Sequence, residues 1–133
     1  MSHQVSSYEG VVTIRLDGRI DTQLFLQDLR NQLEQHTEKQ IIILDTTLSG
    51  GFDSFLKTML FRTFQHHSVG VIGICGVNAE VKPDIDDLVR VLSRVRKVVV
   101  SQTEADLRVA FGLAAPLSQD RKFGGMLAYL KKS

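Results

Sequence analysis

Residues 11–16, Val-Val-Thr-Ile-Arg-Leu, alternate in polarity and stop at Asp17-Gly18, which predicts a half-buried strand closed by a turn. Residues 4–8 before it are a candidate first strand, with Glu9-Gly10 as the hairpin turn. From Thr22 the period changes. Phe25, Leu26, Leu29 and Leu33 share one helical face, Asp28 and Arg30 lie opposite, and Asp21 or Thr22 can cap the start. Residues 41–44, Ile-Ile-Ile-Leu, are a short continuous apolar run, the pattern of a strand covered on both faces.

Past a loop containing Gly50-Gly51, the residues Phe55, Leu56, Met59, Leu60 and Phe64 return to helical spacing, ending near His66-His67. Residues 69–75 read as another buried strand. Pro83 suits the first turn of a third helix, where Asp84, Asp86 and Asp87 favour the positive end of the dipole. The apolar face of that helix is Ile85, Leu88, Leu92 and Val95. Residues 97–100 predict the last strand, and Ser101-Gln-Thr-Glu104 has capping-box spacing before a helix carrying Leu107, Ala110 and Phe111. The order ββαβαβαβα calls for an α/β fold, one sheet with helices packed on it through right-handed crossovers. Pro116 breaks the pattern. Residues 1–113 therefore form the domain, and residues 114–133 an extension in which Phe123, Met126, Leu127 and Leu130 suit one short amphipathic helix. That helix is open to packing on its own domain or on a second copy in a homo-oligomer.

Composition narrows the function classes. A chain of 133 residues with 43% apolar and 23% charged side chains is ordinary for one soluble domain. A net charge of +1 gives no expectation of nucleic acid or of an anionic membrane as partner. No run of about 18 apolar residues occurs, and Met1-Ser-His-Gln lacks the basic and apolar regions of a signal peptide. The single cysteine, Cys75, excludes an internal disulfide and fits a reducing compartment, so a cytoplasmic protein is expected.

The candidate chemistry lies in residues 41–56. A buried strand empties into a glycine-containing loop that delivers Asp53-Ser54 to a helix start, where backbone N–H groups point outward. A hydroxyl there is a cap, a phosphorylation site or a nucleophile. Acyl transfer needs a base in reach of that hydroxyl, whereas His66 and His67 fall turns away on the same helix. Gly50-Gly-Phe-Asp-Ser54 is not a nucleophile elbow. Adjacent histidines on a helix diverge by about 100°, which argues against a shared metal with Cys75. Gly70, Gly73 and Gly76 lack the lysine of a phosphate loop and suit close helix approach to a strand. Asp84, Asp86 and Asp87 lack calcium-loop spacing. Arg90, Arg94, Arg96 and Lys97 make a basic stripe, either solvated or a docking surface. No cofactor, metal or catalytic residue is expected.

Asp17-Gly-Arg-Ile-Asp21 after the first strands resembles the turn of STAS domains, the fold of bacterial anti-sigma-factor antagonists. The strand ending in Asp45 and the Asp53-Ser54 helix start are similar to that family's central motif, and the strand-to-helix ending over residues 101–111 is similar too. The likeness covers residues 5–112 in element order. It implies a single mixed β-sheet with helices packed mainly on one face, and a non-enzymatic regulatory binding module. It also implies Ser54 as the phosphorylated residue, with Asp21, Asp45, Gly50, Gly51, Asp53 and Ser54 on the partner-binding rim. The implied partner is a serine kinase of anti-sigma type or other STAS subunits, in partner switching that regulates transcription under stress. Phe55-Leu56 stand where the family carries a second hydroxyl residue and a glycine, a version that looks most like single-domain stressosome scaffold proteins. The rival readings are such a scaffold without a phospho-switch, and a small hydrolase using Ser54.

Overall fold

The computed structural model describes residues 2–113. Strands β1 (Ser2–Tyr8) and β2 (Val11–Gly18) form an antiparallel hairpin. Glu9 and Gly10 turn it with φ of 49° and 84°, the twist that matches a two-residue hairpin. Then follow α1 (Thr22–Glu34), β3 (Gln40–Ser49), α2 (Ser54–Thr63), β4 (Val69–Cys75), α3 (Lys82–Leu92), β5 (Lys97–Ser101) and α4 (Glu104–Ala110). The sheet order is β1-β2-β3-β4-β5, with β2 to β5 parallel. The protein is an α/β fold with one mixed sheet, consistent with a STAS-like architecture.

Each parallel neighbour is reached by a helical crossover that advances one strand in the same direction. Right-handed connections then put α1, α2 and α3 on one face. The main core forms there: Val12, Ile14, Ile42, Leu44, Ile72 and Ile74 from the strands meet Phe25, Leu29, Leu60, Phe64, Ile85 and Leu88. The hairpin edge is tied to α1 through His3 Nε2 and Asp28 Oδ2 at 2.6 Å and through Ser7 Oγ donating to Gln32 at 2.9 Å. Asp28, read as a solvent-side residue, thus meets β1. On the back face α4 places Leu107 over Ile43 and Cys75 in a smaller cluster.

Several boundaries differ from the sequence pattern. β3 continues past Leu44 to Ser49, because Asp17 and Gly18 pair with Leu48 and Ser49, and buried Thr46 donates its hydroxyl to the Cys75 carbonyl at 3.1 Å. Threonine reads as loop in one dimension, but its β-branched side chain suits a strand once the hydroxyl is bonded. α3 stops at Leu92, leaving Val95 40% exposed. Thr103, not Ser101, caps α4 by accepting from Asp106 N–H at 3.1 Å, which removes the capping box; Ala110, read as a face residue of this helix, is exposed. The amphipathic segment over residues 123–130 lies outside the described residues.

Gly73 explains how α4 sits so close. A Cβ there would lie 2.8 Å from Phe111 and 2.9 Å from Leu107, so only glycine lets this helix rest on β4. Gly73→Val should lower stability by about 1–3 kcal/mol, the usual range for overpacking. Gly51→Ala, where a Cβ would make contacts no closer than 3.8 Å, should stay within about 0.5 kcal/mol. Thermal unfolding of the two variants checks the contrast.

Candidate functional site

The carboxyl edge of a parallel sheet is where loops and helix starts gather, and where open α/β sheets meet their ligands. Here the loop from β3 to α2 crosses that edge and is held from both sides. Gly50 N–H donates to the Gly18 carbonyl at 2.9 Å, and a Cβ on Gly50 would stand 3.2 Å from the Gly18 carbonyl carbon. Gly51 N–H donates to Glu80 Oε2 at 3.1 Å and Phe52 N–H to Asp84 Oδ2 at 3.0 Å. The Phe52 ring is buried in the main core.

Asn78 fastens the strand side of this junction. Its Nδ2 donates to the carbonyls of Thr46, Thr47 and Ser49 at 3.0, 3.2 and 3.0 Å, and its Oδ1 accepts the N–H groups of Glu80 and Val81. One side chain therefore closes the end of β3 and shapes the approach to α3. Sequence reasoning missed Asn78, Glu80 and Lys57. For Asn78 a local signal existed, since asparagine two residues before Glu80 is the composition of an Asx turn.

At the start of α2 the backbone of Asp53 is extended, with φ −85° and ψ 172°, and its Oδ1 accepts the Leu56 N–H at 2.7 Å. Asp53 is the cap. Ser54 is the first helical residue, it is exposed, and its hydroxyl has no hydrogen-bond partner among the described residues. The reading of Ser54 as the cap is therefore corrected, because the capping geometry needs non-helical backbone and Asp53 occupies that position.

One turn on, Lys57 Nζ lies 3.2 Å from Asp84 Oδ1 and 3.4 Å from Asp87 Oδ2. The hydrogen bond that Lys57 donates to Asp84 is the main reason that the ammonium stays protonated above its ordinary range. Arg90, then Lys57, holds the Asp87 carboxyl below its usual value. A groove of about 370 Å³ between α2 and α3 has Ser54, Lys57, Thr58, Asp87 and Arg90 on its walls. Three large apolar side chains stand out at this edge: Leu24 in the first turn of α1 (51% exposed), Leu48 near the end of β3 (66%) and Phe55 in the first turn of α2 (51%).

Gly50, Gly51, Asp53 and Ser54 thus form one continuous edge. Asp21 joins it as the cap of α1, accepting the Leu24 N–H at 3.1 Å, and its neighbours Arg19, Ile20 and Thr22 share a hollow with Gly51, Phe52 and Asp53. Asp45 does not join. It pairs across the sheet with Cys75, whose side chain belongs to the back-face cluster. Its Oδ1 accepts the N–H and hydroxyl of Thr47 at 3.0 and 2.6 Å, and its Oδ2 is 3.8 Å from Arg15. The reason is strand parity: with β3 running on to Ser49, Asp45 is a strand residue one step from core-facing Leu44, so it points to the opposite face.

On that back face Arg15 Nη2 and Arg108 Nε donate to Glu104 at 2.7 and 2.9 Å. Burial works to raise the Glu104 pKa, but the two arginine hydrogen bonds outweigh it and the net shift is downward. Burial, reinforced by the Asp45 and Glu104 carboxylates, pushes the Cys75 thiol up to about 12, so it carries no thiolate at neutral pH.

The two histidines lie beyond the end of α2, not on it, and their rings stack with centroids 4.3 Å apart. His66 Nδ1 accepts the Ser68 N–H at 3.2 Å. Among the described residues no group of three or more His, Cys, Asp or Glu is placed to hold a metal ion. Two members of the basic stripe are engaged within the fold: Arg90 pairs with Asp87, while Arg96 donates to the carbonyls of Gln65, His66, Val69 and Val95 and so closes the end of α2; Arg94 and Lys97 are exposed. No helix among the described residues is long and apolar enough to cross a membrane. No protein-family model matches the chain, and no curated protein matches its sequence.

Two outcomes follow from this geometry. Asp53→Ala should cost about 1 kcal/mol of stability, the typical value of a lost cap, whereas Ser54→Ala should change it by less than about 0.5 kcal/mol. Urea titration of both variants measures the difference. His66 is held below its ordinary 6.5, first by burial and then by the charge of His67. The native state thus favours neutral His66, so its contribution is complete above pH 6.5 and declines as pH falls from 6.5 through the lower folded value. His66→Asn keeps an acceptor for Ser68 N–H without titrating. It should flatten the fall in melting temperature over that window relative to the wild type.

Proposed function

We propose that this chain is a non-enzymatic regulatory protein-binding module of the STAS type, resembling an anti-sigma-factor antagonist, whose association with its partner is controlled by phosphorylation of Ser54. The observation that carries the proposal is the division of labour at the start of α2. Asp53 caps the helix, which leaves the neighbouring Ser54 hydroxyl exposed and without a duty in holding the fold. A phosphate there would add about −1.5 to −2 charges. The helix dipole tolerates that charge at this end, so the fold persists.

The effect would fall on docking. Phe55 and Leu24 offer apolar surface beside the carboxylates of Asp21, Asp53 and Glu80. A partner that buries this edge must desolvate the phosphate as well, at a cost that disfavours binding. By resemblance the partner is a serine kinase of anti-sigma type, or other STAS subunits, acting in the cytoplasm in a stress response. The two histidines lie past the far end of a ten-residue helix, about 15 Å along its axis, which supports binding over a Ser54-dependent hydrolysis. A second reading, a stressosome-type scaffold without a switch, draws on exposed Phe55, a bulky residue beside the hydroxyl that a kinase must reach.

Titration of the partner recovered by pull-down tests the proposal. Ser54→Asp should weaken binding at least tenfold, or about 1.4 kcal/mol, while its melting temperature stays within a few degrees. Ser54→Ala should bind as the unmodified chain does. Intact mass after incubation with the cognate kinase and ATP separates the switch from the scaffold: a gain of one phosphate on wild type, absent in Ser54→Ala, supports the switch.

A further inference from the structure

We propose that Lys57 is the receiver of a phosphate on Ser54, and that its move from Asp84 to that phosphate loosens the clasp between α2 and α3. The inference rests on Ser54 being the modified residue, as argued above, and says how the charge would be read inside the domain.

Ser54 and Lys57 are three residues apart on one helix and line the same groove, the spacing at which side chains are neighbours. Helical side chains lean toward the N-terminus, so a conformation that reaches back along α2 to Ser54 is open to the lysine stem. In the unmodified chain its ammonium is engaged across the groove, 3.2 Å from Asp84 and 3.4 Å from Asp87. Asp84 has a second task, since its other oxygen holds the Phe52 N–H at 3.0 Å. The chain of contacts therefore runs from Lys57 through Asp84 to the loop that presents Ser54.

A phosphate dianion one turn from Lys57 competes for that ammonium with more charge than either carboxylate carries. Once Lys57 turns to it, Asp84 and Asp87 face the phosphate across the groove with their cation removed. Repulsion then draws Asp84 away from α2 and off the Phe52 N–H. Gly51 is held by Glu80 instead, so its N–H serves as an internal reference. Arg90 remains on Asp87 at 2.9 Å and limits the opening to the end of the groove nearest the loop.

The test uses the full chain with phosphoserine encoded at position 54, so it needs neither kinase nor partner. Phosphorus NMR should place the second phosphate pKa lower in wild type than in Lys57→Met by about half a unit, a solvent-discounted charge pair. Lys57→Arg, which keeps a cation, should restore most of the shift. Amide exchange at Phe52 should rise by at least about threefold on phosphorylation in wild type, with Gly51 changing less. That exchange measurement needs no substitution and stands even if Lys57→Met folds poorly. Equal phosphate titrations in wild type and Lys57→Met, or unchanged Phe52 exchange, would overturn the receiver role. If both signatures appear but partner binding ignores the phosphate, the receiver stands and the functional reading fails.

Discussion

Parallel strands laid down one after another impose the geometry on which everything else depends. A crossover that leaves the end of one strand and returns to the start of its neighbour must carry a helix, and its handedness chooses the face. Since β2 to β5 advance without reversal, α1, α2 and α3 share one side and all begin at the same edge of the sheet. Asp21, Asp53 and the approach to α3 are far apart in the chain and neighbours in space for that reason. The open back face then needs its own cover, which α4 supplies only because Gly73 gives it room.

The edge is polar, yet its backbone is not left to water. Consecutive N–H groups in the loop are taken by Glu80 and Asp84, and the carbonyls at the end of β3 by Asn78. Such bonds contribute little net free energy each, about 1 kcal/mol, but leaving the groups unpaired in a partly buried junction would cost more. The same carboxylate that satisfies Phe52 also receives Lys57, so the conformation of the loop and the electrostatics of the α2–α3 groove are coupled through one side chain.

The two faces of the sheet divide the ionisable groups by task. Asp45, Arg15, Glu104 and Arg108 form a network that fastens α4 to the back of β2 and β3. Asp21, Asp53, Asp84 and Lys57 sit on the side of the helix starts. Carboxylates that are equivalent in a list of candidate residues thus differ in role because strand parity and helix position separate them.

Element order, the hairpin, the face of α1, most of the faces of α2 and α3 and the helix start at Ser54 were legible in the sequence, because hydrophobic period and turn chemistry are local properties; Phe55 and Val95, which the period also put on those faces, are exposed. Gly73 was also readable as a point of close helix approach. What only the tertiary structure decided was long-range. β3 extends to Ser49 because partners on β2 and β4 accept it, which sends Asp45 to the back face. Thr103 rather than Ser101 caps α4 because β5 keeps Ser101 paired with Cys75. The choice of Asp53 over Ser54 as cap depends on where the backbone turns helical, and the ties of Asn78, Glu80 and Lys57 join residues about 30 positions apart through directional bonds that no local pattern records.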